Sequence, residues 1–224
     1  GVELIDDLGL SDILISDFSK LEGMILVSPD GVEIPAYFPE TNSFNYGVSL
    51  NREIFDSRIL NLAQQEGVNV LFNQTVREVS YNSIDSTWYV ITEQSTYEYD
   101  LLFVADGRQS KIGHFLKQVT NVQSKRVALH CYLPRKSALG LRMGEMHIFS
   151  DGSYCGLDPI DDEHINFSIV CDSTKLKNHK PEEIINSAIA GSSRLSKLFD
   201  GHLKNEDIKT VTSLKNINNF ISGN

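Results

Sequence analysis

The chain of 224 residues lacks the long apolar and basic runs that assign many proteins to a class at once. Its apolar runs are short, as at 101–105, whereas a membrane-spanning helix needs about 20 apolar residues. No run of Lys and Arg occurs, and the formal net charge is −10. Nucleic-acid-binding proteins concentrate basic residues on one face. We therefore expect neither a transmembrane segment nor a nucleic-acid partner.

Cysteine is also scarce, with only Cys131, Cys155 and Cys171 and no C-x-x-C pair. Each lies in an alternating stretch typical of a strand, which predicts buried, reduced thiols and, from them, a cytoplasmic protein. The six histidines lack the spacing of metal ligands, so we predict no metal site. No G-x-S-x-G motif occurs, which argues against acyl transfer.

The first half of the chain alternates helical and strand patterns. The clearest helix is predicted at 51–66, where apolar residues form one stripe and Gly67 follows as a C-cap. Two short helices broken at Gly9 precede it, with Ser11 and Asp12 placed to cap the second. A hairpin is predicted over 24–38 with its turn at 28–31. Further strands are predicted at 68–72, 75–81, 87–93, 96–99 and 101–105.

The second half has longer alternating strands joined by acidic and glycine-containing turns. A helix is predicted to begin at Pro181, where Glu182 and Glu183 suit the helix dipole. His130, Tyr132, Met146 and Tyr154 alternate along these strands, and they either line a substrate face or belong to the core. Strands are predicted at 126–133, 143–149, 154–159, 165–171, 207–213 and 219–222, and the helix at 181–189.

The turn after residue 105 is the most informative local feature. A predicted buried strand ends at Asp106 and Gly107, and a helical pattern follows. This layout places a carboxylate and free backbone N–H groups at the carboxyl end of a strand, where open α/β sheets bind nucleotide-like ligands. The alternative is an ordinary strand-turn-helix joint in which Asp106 caps the helix.

Two segments resemble flavoenzyme motifs. The sequence G-V-S-L-N-R-E-I-F-D at 47–56, continuing through Gly67, resembles the R-x-x-F-D pattern of FAD-dependent oxidoreductases related to para-hydroxybenzoate hydroxylase. The sequence V-A-D-G-R-Q-S-K at 104–111 resembles the second flavin fingerprint of that family. Stretches within 143–167 resemble substrate-domain strands of its geranylgeranyl reductase-like and monooxygenase-like branches.

The resemblance implies a mixed α/β (α+β) fold. It comprises a partial FAD-binding, Rossmann-like layer and a mainly antiparallel substrate-binding sheet with helices on one face. The expected domains are a partial FAD-binding domain at 1–120, whose hairpin at 22–40 can pack on the substrate layer, and a substrate domain at 121–215. Residues 216–224 are expected to return to the FAD-binding domain.

The resemblance also implies that four residues contact the cofactor: Arg52, Asp106, Gly107 and Ser110. Ser110 is equally consistent with a helix N-cap. Arg52 is equally consistent with a solvated arginine in the first helical turn, and Asp56 is expected on the helix surface.

The chain departs from the family at two places. The family begins with a G-x-G-x-x-G loop for the FAD pyrophosphate, and no such spacing occurs here. Asn224 stands where the aspartate of the family's later G-D motif is expected; an amide oxygen can still accept a hydrogen bond there. We therefore expect an internal fragment that is inactive alone.

The implied activity depends on the cofactor, since no catalytic acid–base pair stands out in the sequence. We expect NAD(P)H to reduce FAD in a monooxygenase acting on an apolar or aromatic small molecule. One alternative is a geranylgeranyl-type reductase of prenyl double bonds. An alternative of another class is a non-catalytic binding domain with a degenerate flavin site.

Overall fold

A computed structural model describes residues 1–39, 44–107, 110–117, 125–134, 142–199 and 208–211. These residues have a mixed α/β structure. The helices are α1 (Val2–Asp7), α2 (Ser11–Leu14), α3 (Arg52–Gln65), α4 (Lys111–Phe115), α5 (Lys175–Asn178), α6 (Pro181–Ala190) and α7 (Ser193–Leu198). The strands are β1 (Ser19–Leu21), β2 (Gly23–Val27), β3 (Glu33–Tyr37), β4 (Gly47–Ser49), β5 (Val76–Asn82), β6 (Thr87–Thr92), β7 (Thr96–Tyr99), β8 (Arg126–Pro134), β9 (Met143–Ile148), β10 (Tyr154–Pro159), β11 (His164–Asp172) and β12 (Lys209–Val211).

The described residues divide into two compact units. The first unit contains 1–66 and 125–211, and the second contains 67–117. The functional division at residue 120 that the resemblance implies stays a prediction. The predicted strand at 219–222 and Asn224 lie outside the described residues.

The first unit is built on a seven-stranded sheet with the order β12-β8-β11-β10-β9-β2-β3. Its neighbouring strands are antiparallel, except that β2 and β9 are parallel. The predicted, mainly antiparallel sheet is therefore confirmed. The hairpin of β2 and β3 extends this sheet at one edge, and its turn places Gly31 at a φ of +86°.

One face of the large sheet is buried against α6 and α7. Every second side chain of β11 is buried, and Phe167 is fully inaccessible. Ile185 of α6 and Leu195 of α7 belong to the same core and are equally inaccessible. Full burial of such a side chain contributes roughly 1.5–3 kcal/mol. This core therefore determines which face of the sheet is covered by helices.

The three cysteines lie in this core and are free, which confirms the predicted buried, reduced thiols. Burial raises the pKa of Cys155 to about 12. Such a thiol remains protonated at neutral pH and is a poor nucleophile. The cytoplasmic location inferred from the cysteines stays a prediction.

Helix α3 confirms the clearest helical prediction. Asn51 is its N-cap, and the Asn51 Oδ1 atom accepts hydrogen bonds from the backbone N–H groups of Glu53 (2.9 Å) and Ile54 (3.4 Å). Gly67 follows with a φ of +90°, a conformation that glycine adopts without strain. Yet Ile54 and Ile59 of its apolar stripe are exposed, so the stripe is only partly covered by described residues.

The second unit contains the antiparallel sheet β5-β6-β7 and helix α4. Tyr81 and Trp88 face each other across β5 and β6, with ring centroids 5.1 Å apart. Aromatic cross-strand pairs of this kind stabilise a small sheet. The strands predicted at 75–81, 87–93 and 96–99 are thus confirmed.

Two predicted strands are absent. Residues 68–72 and 101–105 have no strand pairing within the described part of the chain. Phe72 and Phe103 are 61% and 85% exposed. A strand forms only when a neighbour satisfies its backbone N–H and C=O groups, and an apolar run in a sequence does not disclose that neighbour. The prediction of a buried strand before Asp106 was therefore wrong for this structure.

The predicted cap at Ser11 was also wrong. The N-cap of α2 is Leu10, and the Ser11 hydroxyl instead donates to Asp6 Oδ1 over 3.0 Å. The sequence correctly placed two short helices before β1. Helices α5 and α7 were not predicted from the sequence.

A buried polar network attaches α7 to β9. Glu145 and His147 of β9 are each 1% exposed. Arg194 donates to both Glu145 oxygens over 2.8 and 2.6 Å and to Glu33 Oε2 over 2.9 Å. His147 Nε2 lies 2.9 Å from Glu145 Oε2, and His147 Nδ1 lies 3.2 Å from the hydroxyl of Ser192. Both oxygens of this buried carboxylate therefore have donors.

We expect Arg194→Ala to destabilise the protein by about 3 kcal/mol, because it leaves the Glu145 carboxylate buried without its main cation. This value is at the lower end for such changes, since the Arg194 side chain is 27% exposed. Urea unfolding measures the loss. Arg142→Ala is the matched control: its ion pair with Glu22 is exposed at both ends and should contribute less than about 1 kcal/mol. Equal losses would contradict the account.

The same network predicts a pH dependence. Burial alone would raise the pKa of Glu145, but hydrogen bonds from Arg194 and His147 outweigh burial and lower the pKa below 4.5. The stabilisation is therefore present above pH 4.5 and is lost as the pH falls through the lower folded value. In Arg194→Ala this part of the acid sensitivity should disappear, which unfolding titrations from pH 7 to about pH 3 would measure.

Candidate functional site

The Asp106–Gly107 turn leads directly into α4. Gly107 has a φ of +79°, in the left-handed region that favours glycine. The backbone N–H of Ser110 donates to the carbonyl of Gly107 over 3.1 Å. A Cβ atom placed on Gly107 would have no described atom within 4 Å, apart from those of Gly107 and its two neighbours in the chain. The backbone is therefore open on that side, and a ligand can approach it closely.

Two side chains cap α4. The Ser110 hydroxyl accepts from the backbone N–H of Gly113 over 2.8 Å, and Asp106 Oδ2 accepts from that of Ile112 over 3.2 Å. Both residues therefore act as helix caps, as the ordinary interpretation of this joint predicts. Arg108 and Gln109, between them, lie outside the described residues.

The Asp106 carboxylate is ionised and accessible. Partial burial tends to raise its pKa, but hydrogen bonds from the Ser110 hydroxyl and from backbone N–H groups of the following helix prevail and lower the pKa. Asp106 is an exposed residue. An exposed, ionised carboxylate keeps free lone pairs and accepts strong hydrogen bonds from hydroxyl groups. Capping and ligand contact are thus compatible at Asp106.

Arg52 belongs to the other unit, in the first turn of α3. Its guanidinium donates to both carboxylate oxygens of Asp56, from Nε to Oδ1 and from Nη2 to Oδ2, each over 3.1 Å. The two side chains are 75% and 55% exposed, so Asp56 lies on the helix surface as predicted. An exposed pair of this kind contributes less than about 1 kcal/mol and can exchange partners at little cost.

The structure thus places the four predicted cofactor contacts in two groups. Asp106, Gly107 and Ser110 lie close together in the second unit, whereas Arg52 is in the first unit. Their assignment to a cofactor stays a prediction. No group of His, Cys, Asp and Glu suited to a metal ion occurs among the described residues.

A second feature is the face of the large sheet opposite α6 and α7, which we call the open face. It carries the side chains that alternate with the buried ones along β8, β10 and β11. His130 Nδ1 lies 3.1 Å from Asn166 Oδ1, and the His130 and Tyr132 rings meet edge to face at 5.2 Å. The open-face residues of these three strands include Ala128, His130, Tyr132, Tyr154, Gly156, Asp158, Asn166, Ser168 and Val170.

The sequence had offered Tyr132, His130, Tyr154 and Met146 as either substrate-facing or core. None of the four is fully buried, and none belongs to the core cluster. The open-face residues that were not singled out from the sequence include Asp158 and Asn166. The face on which Asp158 lies could be predicted from the sequence, because buried Cys155 and Leu157 alternate with partly exposed positions along β10. A single carboxylate in a strand, however, does not by itself indicate a functional role.

None of the helices formed by the described residues is both long and apolar enough to cross a membrane.

Comparison with known families and curated proteins gives no match. Comparison with solved structures gives several. The flavin-dependent halogenase CmlS has a TM-score of 0.83 and 19% identity over 97% of this chain. A flavoprotein/dehydrogenase from Cytophaga hutchinsonii has a TM-score of 0.80 and 16% identity over 93% of this chain. PqsL, a probable FAD-dependent monooxygenase from Pseudomonas aeruginosa, has a TM-score of 0.72 and 12% identity over 94% of this chain.

This chain spans about half the length of those proteins: 42%, 54% and 60%, respectively. At such low identities the similarity concerns the fold. The mixed α/β fold of this chain is therefore shared with about half of each of these three proteins.

The capping role of Ser110 gives a test. We expect Ser110→Ala to weaken α4 by roughly 1 kcal/mol and Ser110→Asp to restore most of the loss, because aspartate also caps helices. Hydrogen exchange at Gly113 and its neighbours reports on the helix. Ser80→Ala, at an exposed position of β5, is the control. Unchanged exchange in Ser110→Ala would contradict the cap.

Proposed function

We propose that this chain forms the central part of a FAD-dependent oxidoreductase, and that the complete enzyme is an NAD(P)H-dependent monooxygenase of an apolar or aromatic small molecule. The observation that carries the proposal is the fold shared with flavin-dependent enzymes over more than nine-tenths of the chain. The turn at Asp106 supports it independently, because its sequence resembles a flavin fingerprint and its carboxylate is exposed and ionised.

The residues present fit this cofactor. Asp106 can accept a hydrogen bond from a hydroxyl of the ribityl or ribose part of FAD. Gly107, with no side chain, allows the backbone to approach the ligand. Arg52 can exchange its weak contact with Asp56 for an anionic or carbonyl group of the cofactor. Ser110 holds Asp106 and α4 in place through its own hydrogen bonds.

Bound FAD would supply the redox chemistry, as cofactors of this class do. The chain itself orients the ligands. In the second unit, Asp106 and Ser110 accept hydrogen bonds from the backbone of α4, which places both side chains at the start of that helix. In the first unit, the open face offers aromatic and polar side chains on a sheet whose other face is firmly packed, which is the kind of rigid support that substrate positioning needs.

Halogenation is a second candidate. It is favoured by the similarity to CmlS and to the flavin-dependent brominase Bmp2, which has a TM-score of 0.76 over 98% of this chain. The reductase alternative of the geranylgeranyl branch stays a prediction, as does the non-catalytic binding domain.

The products distinguish the oxidising candidates. We expect the complete protein, given NADPH, phenol as a probe and isotopically labelled dioxygen, to yield a product with one labelled oxygen atom. A brominated product formed only when bromide is added would support halogenation instead. Mass spectrometry measures both. Heat-inactivated protein is the control for uncatalysed oxidation.

Asp106 is tested separately. In the complete protein, we expect Asp106→Ala to weaken FAD binding by at least about tenfold, because one charge-assisted hydrogen bond contributes about 1.5–3 kcal/mol. Asp100→Ala, at an exposed position six residues earlier, is the matched control. Equilibrium dialysis with FAD measures the affinity. Unchanged affinity in Asp106→Ala would remove this residue from the cofactor site.

A further inference from the structure

We propose that Asp158 determines substrate specificity on the open face by binding an ammonium group, so that the preferred substrate is an aromatic amine of the arylalkyl type. The inference rests on the proposed function, because it refines the substrate class of the same enzyme. It narrows the expected class of apolar or aromatic small molecules to aromatic amines.

The position of Asp158 is fixed by the strand that carries it. Its neighbours Leu157 and Pro159 point into the core and are buried, so the Asp158 side chain lies on the opposite, open face. Asp158 pairs with Asn166 across β10 and β11, and Asn166 pairs with Tyr132 across β11 and β8. The three side chains thus form one row across adjacent strands, which lie about 4.8 Å apart.

Gly144 makes room for the carboxylate. A Cβ added to Gly144 would lie only 2.7 Å from Asp158 Oδ1 and 3.7 Å from the terminal methyl group of Met24. The carboxylate therefore extends over the backbone of β9, in the space that the absent side chain leaves. Any larger residue at 144 would have to displace it.

Two other carboxylates of this unit contact cations. Glu145 is bound by Arg194, and Asp151 is bound by Lys175 and Ser153. Among the described residues, by contrast, no cation and no hydrogen-bond donor contacts Asp158.

Burial without such a partner raises the pKa of Asp158. Removing a carboxylate from water without compensation is unfavourable. A ligand with a positive charge and N–H donors would offset this unfavourable desolvation free energy.

The remainder of the row supplies an aromatic surface. The edge-to-face rings of His130 and Tyr132 stand at its far end, and the hydrogen bond from His130 occupies the Asn166 carbonyl oxygen. Two strand spacings, roughly 10 Å, separate the backbones at Tyr132 and Asp158, and the Asp158 carboxylate lies on the β9 side of its own strand. A ligand with an aromatic ring and an ammonium group on an alkyl linker has the same order of groups as a row with rings at one end and a carboxylate at the other. Charge and shape therefore point to the same ligand class.

Three probes of similar shape test the charge preference: phenethylamine, 2-phenylethanol and 3-phenylpropionate. NMR titration of the complete protein measures their binding. We expect phenethylamine to bind at least tenfold more tightly than 3-phenylpropionate, with resonances of β10 and β11 shifting. Asp158→Asn, which keeps the size of the side chain, should abolish that preference. Gly144→Ala, which keeps the Asp158 carboxylate but displaces it, should reduce the preference for phenethylamine.

The control is Glu78→Gln, which removes one negative charge at an exposed position of the second unit. It should leave the preference unchanged, which excludes a general attraction of cations to an acidic protein. Equal binding of the three probes, no saturable phenethylamine binding, or an unaltered preference in Asp158→Asn would overturn the proposal. FAD affinity is measured independently, so a protein that binds FAD without this preference refutes the amine inference alone.

Discussion

The one-sided burial of the seven-stranded sheet is the constraint on which the rest of the structure depends. Alternate residues of β8, β10 and β11 pack with α6 and α7 into a core in which Phe167 and Ile185 have no accessible surface. Because side chains alternate strictly along a strand, this burial also decides which residues face the other way. The network of Glu145 with Arg194 and His147 attaches α7 to the same sheet. The packing of the core face therefore determines which side chains lie on the open face.

Sequence patterns predicted the elements whose signals are local. The helix at α3 carries its own cap at Asn51 and stop at Gly67, and the alternation of β8 to β11 is visible in the sequence because one face of each is buried. The runs at 68–72 and 101–105 were misjudged for the opposite reason. Apolar composition indicates that a segment can be buried, but strand formation depends on a neighbour that the segment itself does not encode.

The candidate site was predictable to a similar extent. The turn at Asp106 was found because an Asp-Gly pair after an apolar run has a specific backbone requirement, and Gly107 indeed has a positive φ. Asp158 was missed because the observations that single it out come from neighbouring strands. Gly144 of β9 leaves room for its carboxylate, Asn166 is its cross-strand neighbour on β11, and no cation contacts it among the described residues. Such a combination exists only after the strands have been brought into register.

The central claim is that this chain provides part of a FAD site, and the most direct measurement is the cofactor content of the complete protein that contains it. The protein is purified without added flavin, its visible spectrum is recorded, and the flavin released on denaturation is identified and quantified. The account predicts a yellow protein, or one that becomes yellow on addition of FAD, with about one FAD per chain. A colourless protein that binds no FAD when the cofactor is supplied would contradict it.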